Sequence, residues 1–89
     1  MKYLVEKKFL KDLQPLPGQV KKSVADFFLH VHEIKSFDEI HNVEKLSGHK
    51  DYYRYRIGHY RCGFAFRDGK IIFIRMLHRS EIYKHFPPK

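Results

Sequence analysis

Between residues 52 and 77 the apolar side chains recur with a period of two, interrupted twice by turn signals. Tyr53, Tyr55 and Ile57 alternate with Arg54 and Arg56, and Tyr60, Cys62, Phe64 and Phe66 alternate with Arg61, Gly63, Ala65 and Arg67. Gly58-His59 suits a two-residue hairpin turn with glycine first, and Asp68-Gly69 is a strong type I′ signal. The run KIIFIRML, 70–77, supplies the third strand of an antiparallel meander. These turns set a register in which Arg56 faces Arg61, Tyr55 faces Cys62, Arg54 faces Gly63, Gly63 faces Ile74 and Arg61 faces Met76. One face is then an apolar layer of Tyr53, Tyr55, Ile57, Tyr60, Cys62, Phe64, Phe66, Phe73 and Leu77. The other carries Arg54, Arg56 and Arg61 around the small residues Gly63 and Ala65, which would leave a concave floor open enough for a polymer backbone, with His78 at the end of the third strand. This register places Arg75 on the apolar face, so either it snorkels at the sheet edge or a bulge shifts the strand.

Upstream, KYLV at 2–5 reads as a short strand, and EKKFLKDLQ has helical spacing at Phe9 and Leu13. Pro17 is placed to begin a second helix. Val20, Val24, Phe27, Phe28, Val31 and Ile34 share one face of it at intervals of three or four, which predicts a core-facing helix. The segment SFDEIHNVEKLSG reads as a helical turn and a loop ending at Gly48. After the meander a short final helix is expected, with Ser80 as its N-cap and Pro87-Pro88 stopping it. The fold class is α+β: a strand, two helices packed on an antiparallel sheet, a three-stranded meander and a helical tail. With 89 residues, the chain reads as one domain spanning 1–89.

The charge is unevenly spread. Residues 1–45 hold eight lysines against seven acids, and residues 46–89 hold ten Lys/Arg against three acids, so seven of the eight net positive charges lie in the second half. All six arginines lie there too, and arginine's planar fork suits phosphate better than lysine's point charge does. Like charges directly across a strand pair destabilise a sheet, whereas an anion seated between them removes the penalty. The pattern therefore points to a polyanionic partner, nucleic acid or an acidic protein segment. No apolar run reaches the 18 residues of a membrane span, no signal-peptide pattern opens the chain, and a single cysteine excludes an internal disulfide, so a cytoplasmic protein without membrane contact is expected.

The segments KLSGHKDYYRYRIGHYRCGFAF, 45–66, and IIFIRMLHRSEIYKHF, 71–86, resemble the RelE/ParE superfamily of bacterial type II toxin–antitoxin toxins. The features carrying the resemblance are Lys45-Leu46-Ser47-Gly48, the hairpin from Tyr53 to Arg61, and His78-Arg79-Ser80-Glu81-Ile82-Tyr83. The RelE branch consists of endonucleases that cut mRNA in the A site of the 30S ribosomal subunit without a metal or other cofactor. The resemblance implies the same here, with a cognate acidic antitoxin as partner and a toxin–antitoxin complex that binds operator DNA through the antitoxin. It implies catalytic roles for Arg61, Tyr83, His78, Arg79 and Arg54: Arg61 stabilising charge at the scissile phosphate, Tyr83 stacking on a base or moving a proton. It further implies RNA contacts from Lys50, Arg56, Tyr52, Arg75 and Lys84.

Where several family members carry a catalytic lysine on the first hairpin strand, this chain has Arg54. Arginine stabilises charge but does not deprotonate in proteins, so it cannot act as the base. His78 is the first choice for that role, its ordinary pKa lying nearest working pH; Tyr83, Lys50, His49 and His59 stay open. The seven histidines match no zinc spacing, and His30 and His32 fall on different sides of a helix, so no metal site is expected. Cys62 reads as a small buried filler. Two alternatives stand beside the nuclease: the ParE branch, which poisons DNA gyrase by protein contacts, and a non-catalytic basic nucleic-acid-binding module.

Overall fold

A computed structural model describes residues 1–88. In chain order it contains β1 (Lys2–Val5), α1 (Lys7–Leu13), α2 (Gly18–Glu33), a 3₁₀ turn (Phe37–Glu39), β2 (Val43–Lys45), β3 (Tyr52–Ile57), β4 (Tyr60–Arg67), β5 (Lys70–His78) and α3 (Ile82–His85). The strands form one sheet in the order β1-β5-β4-β3-β2, with β1 parallel to β5 and every other pair antiparallel. The expected α+β class, its meander and its helices are all present. Pro17 lies one position earlier than expected, as the residue before α2 begins at Gly18. Both hairpins form where the turn residues demand, with Gly58 at φ +57°, Asp68 at +52° and Gly69 at +73°.

The element missed in the sequence is β2. Its three residues are too few to show a period, and it pairs antiparallel to β3 with Glu44 opposite Arg54. A capping box holds the segment before it: Ser36 accepts from the Asp38 amide while the Glu39 carboxylate accepts from the backbone N–H groups of Lys35 and Ser36. Those two donors hold the Glu39 carboxyl below its usual range.

The helix-facing side of the sheet makes the main core. Val24, Phe27 and Val31 of α2 and Phe9 of α1 pack against Cys62, Phe64, Ile71, Phe73 and Met76. Phe27 stacks on Tyr55 with centroids 3.7 Å apart and ring planes within 2°, and Phe37 closes the far end by stacking on Phe66 at 4.3 Å. Burying a side chain of this size contributes about 1.5–3 kcal/mol, so the stability of the fold rests on this side. Burial also pushes the Cys62 thiol well up, which suits the expected inert filler and not a nucleophile.

The register departs from expectation at one place. Phe64 pairs with Phe73 but Gly63 pairs with Arg75, leaving Ile74 as an extra residue on β5. Arg61 consequently faces Leu77, not Met76. Beyond this bulge the alternation of β5 is inverted. Met76 enters the main core in place of Leu77, and Arg75 leaves the α2 face altogether. The Arg75 guanidinium is held by Asp12 of α1 through Nε–Oδ2 at 2.7 Å and Nη2–Oδ1 at 3.1 Å, while the same carboxylate accepts from the Met76 amide at 3.0 Å. Asp12 thereby satisfies the edge of β5 beyond the end of β1.

The opposite face carries a smaller core of Leu46, Ala65, Ile74, Ile82 and Phe86, built around α3. Gly63 and Ala65 do not leave an open floor there. Phe86 occupies the space above Gly63, and a Cβ at that position would lie 2.8 Å from the Phe86 ring. Ser80 is not the N-cap of α3: that position is Glu81, and the Ser80 hydroxyl is engaged by His78.

Two outcomes follow for stability. Asp12→Ala strands both the Arg75 guanidinium and the Met76 amide and is expected to cost about 2–4 kcal/mol in urea unfolding; Asp12→Asn, which keeps an acceptor, should cost less, and equal losses would mean that the charge is irrelevant. Gly63→Ala is expected to cost about 1–3 kcal/mol by overpacking against Phe86. Combined with Phe86→Leu, the loss should be smaller than the sum of the two single losses, and strict additivity would show that the two positions do not meet.

Candidate active site

The face opposite α2 gathers the arginines because residues 54 and 56 of β3 and residue 61 of β4 have the same parity in the observed register. Arg56 lies directly across from Arg61, and Arg54 from Gly63. With Asn42, Val43 and Glu44 of the β2 segment they line a cleft of ≈ 370 Å³. The strand β2 forms one wall, and Asn42 reaches its position in the left-handed backbone region at φ +60°.

Each guanidinium is placed differently. Arg54 is the most enclosed, with its side chain 13% exposed. Its Nη2 donates to Glu44 Oε1 at 2.8 Å, and its Cζ lies 4.5 Å from the centroid of the Tyr83 ring. The carboxylate and the aromatic face therefore hold the guanidinium from two different elements, the ring contributing about 0.5–1 kcal/mol at such an exposed contact. Arg61 Nη1 donates to the carbonyls of Gly58 and Tyr60, each at 3.0 Å, so the hairpin turn fixes its direction. Neither Arg56 nor Arg61 is paired with a carboxylate among the described residues. Three permanent cations and one carboxylate leave the cleft positive, with the donors of Arg54 and Arg61 held in place, an arrangement able to take an anion such as a phosphate. Tyr83 sits at its edge, 71% exposed, as an uncovered ring.

Of the expected site residues, Arg54, Arg56, Arg61 and Tyr83 come together. His78 does not join them. The bulge turns it toward the hairpin tip, where it pairs across the ladder with Tyr60, meets that ring edge-on at 5.6 Å and lies 6.3 Å from His59. Its Nδ1 accepts from the Ser80 amide at 3.1 Å, with Ser80 Oγ at 2.8 Å. The Arg79 amide ties the end of β5 to the His59 carbonyl at 2.8 Å, and its side chain is exposed.

The remaining expected contacts are dispersed. Tyr52 is a wall of the small core, edge-on to Phe86 at 5.5 Å and covered by Arg67, whose partner Asp51 is held below the usual carboxylate range by that guanidinium. Lys50 is exposed in the loop between β2 and β3. Arg75 is committed to Asp12. Lys84 pairs with Glu81 at 2.9 Å and faces away from the arginine cleft. The residue that sequence reasoning missed is Glu44. The signal was available: Val43-Glu44-Lys45, folded back on β3, places the acid opposite Arg54.

Comparison with known proteins places the family and the fold. Residues 3–83 match the model of a family described as the ParE toxin of the type II toxin–antitoxin system parDE. Toxin RelE3 of Methanocaldococcus jannaschii is 38% identical over 88 residues, covering 98% of this chain and 100% of that protein. A chain of the crystal structure of the RelB–RelE antitoxin–toxin complex from Methanococcus jannaschii superposes with a TM-score of 0.82 at 36% identity, covering 94% of this chain and 99% of that one. The archaeal RelE–RelB complex from Pyrococcus horikoshii gives 0.70 at 26% identity, covering 89% and 94%. These relatives are archaeal, so the bacterial source implied by the resemblance does not follow. The chain belongs to the ParE toxin family of type II toxin–antitoxin systems, within the RelE/ParE superfamily.

Proposed function

We propose that the protein is a RelE-type toxin that cleaves mRNA in the ribosomal A site and is held inactive by a cognate RelB-type antitoxin. The carrying observation is the cleft in which Arg54, Arg56 and Arg61 converge beside Glu44 and under the exposed ring of Tyr83. The relatives named RelE, two of them in complexes with RelB, support the same reading.

The chemistry that fits is attack of a ribose 2′-oxygen on the adjacent phosphorus. The 2′-OH proton passes to a base, the new P–O bond forms as the bond to the 5′-oxygen breaks, and an acid returns a proton to that leaving oxygen. The products are a 2′,3′-cyclic phosphate and a 5′-hydroxyl. Arg56 and Arg61 take the non-bridging oxygens, where negative charge builds up, and such a group contributes about 10²–10³-fold. Glu44 takes the role of base in place of His78: it lines the cleft beside the arginines, whereas His78 is turned to the hairpin tip. Tyr83, reaching the same Arg54 from α3, is placed to stack on a base and to protonate the leaving oxygen. An acidic antitoxin segment would compete for the same guanidiniums.

Primer extension on a defined message in a reconstituted translation system tests this. The wild-type protein is expected to cut in phase with codons only when ribosomes are present. Arg61→Ala should lose at least ~10²-fold and Glu44→Gln ~10²–10⁴-fold, both remaining folded. Full cleavage by Glu44→Gln would remove it as the base. Intact message alongside growth arrest in cells would point to gyrase and the ParE branch instead.

A further inference from the structure

The helix α3 divides the face opposite α2 into two. On one side Tyr83 overhangs the arginine cleft. On the other lies a larger cleft of ≈ 830 Å³ between α3, the start of α1 and the bulge of β5. Its rim carries Lys7 and Lys8 from the first turn of α1 and Lys84 and His85 from α3, over a floor that includes Ile74 and Pro87. Glu6 is the one acid lining it, and Arg75, which also reaches it, is already neutralised by Asp12. Neither Lys7 nor Lys8 has a carboxylate partner among the described residues. The proposed function gives this cleft no task.

We propose that this second cleft is an extension subsite for the RNA strand: the polynucleotide leaves the arginine cleft, passes over Tyr83 and lays its flanking phosphates along Lys7, Lys8 and Lys84. The proposal rests on the RNA reading of the arginine cleft and deepens it. Three features of the cleft support it. Tyr83 of α3 lies against Arg54 of the arginine cleft, and the next two residues of the same helix, Lys84 and His85, line the second cleft, so a strand crosses one helix width, roughly 10 Å, to go from one to the other. The chemistry changes across that helix in the way a polymer site requires. Arg54 and Arg61, held by hydrogen bonds, fix one phosphate where bonds must break, whereas the unpaired Lys7 and Lys8, with Lys84 at the solvent-exposed end of its pair with Glu81, follow a backbone of varying sequence as point charges. The apolar floor offers bases a dry surface, as single-strand sites do. An acidic peptide shares the charge but not the continuity with Tyr83, and it is an outcome of the test.

The test uses fluorescently labelled uridine oligomers carrying 2′-O-methyl groups, which block cleavage, with anisotropy as the readout. Wild-type protein is compared on a trinucleotide and a decanucleotide with Lys7→Ala/Lys8→Ala. A control, Lys21→Ala/Lys22→Ala, removes the same charge from α2. The rim variant is expected to bind the decanucleotide about tenfold more weakly, and the dependence of log affinity on log salt should flatten by about 1.4, the loss of two single-strand phosphate contacts. Its trinucleotide affinity should match wild type. Adding Lys84→Ala should deepen the decanucleotide loss. An equal loss for the control would reduce the effect to net charge and overturn the subsite, as would equal loss on both oligomers. Unchanged decanucleotide binding with weakened binding to an acidic peptide would make the cleft a protein-docking surface and likewise overturn it. Wild-type protein that binds neither oligomer and leaves ribosome-bound message intact would defeat the RNA reading itself; wild-type cleavage with an indifferent rim variant would defeat only the subsite.

Discussion

The insertion of Ile74 into β5 is the constraint on which most of this structure turns. A strand alternates sides at every residue, so one extra residue inverts everything beyond it. Without the bulge, Arg75 would enter the apolar layer under α2, at a cost no nearby acid could offset. With it, Met76 fills that place and Arg75 meets Asp12, which also satisfies the β5 edge that β1 leaves bare. The same inversion carries Leu77 to the arginine face and His78 to the hairpin tip. A packing solution at the core thus decides which side chains are available for chemistry two turns of the ladder away.

The smaller core on the opposite face governs the other half of the site. Gly63 lacks a side chain because the Phe86 ring needs its space, and Ile82 and Phe86 together seat α3 on the sheet. Tyr83, one residue after Ile82, is thereby delivered to Arg54 while remaining solvent-exposed. A four-residue helix has little stability of its own, and this one is anchored by five buried residues against eleven in the main core. The edge of the cleft that Tyr83 forms therefore depends on the smaller of the two cores, where fewer buried contacts oppose local opening.

These features also explain what the sequence made legible. The two hairpins and the juxtaposition of Arg56 with Arg61 were readable because turn residues with positive φ specify register locally. The long helix was readable from its spacing. The bulge was announced by one misfit, Arg75 in an apolar alternation, but its place depended on Asp12, sixty-three positions away in the chain. β2 was too short for a period, and its partner Glu44 was hidden with it. The small residues at 63 and 65 looked like the floor of an open groove; only the return of the C-terminal tail over the sheet shows that they make room for Phe86.

Under the proposed function, an arginine at position 54 has a physical consequence. A lysine in such a cleft can serve both as a cation and, once deprotonated, as a base; an arginine serves only as a cation. Dividing the two duties requires a separate proton acceptor within reach of the same phosphate, and it must not be neutralised by its own surroundings. Under the proposed function Glu44 is this acceptor: its contact with Arg54 is shared with solvent, 71% of its side chain being exposed. In that reading an incoming phosphate competes with the carboxylate for the guanidinium, and each hydrogen bond that Arg54 donates to a phosphate oxygen frees Glu44 to turn toward a ribose hydroxyl. On the proposed function, the ion pair between Arg54 and Glu44 is then the one whose exchange prepares the base.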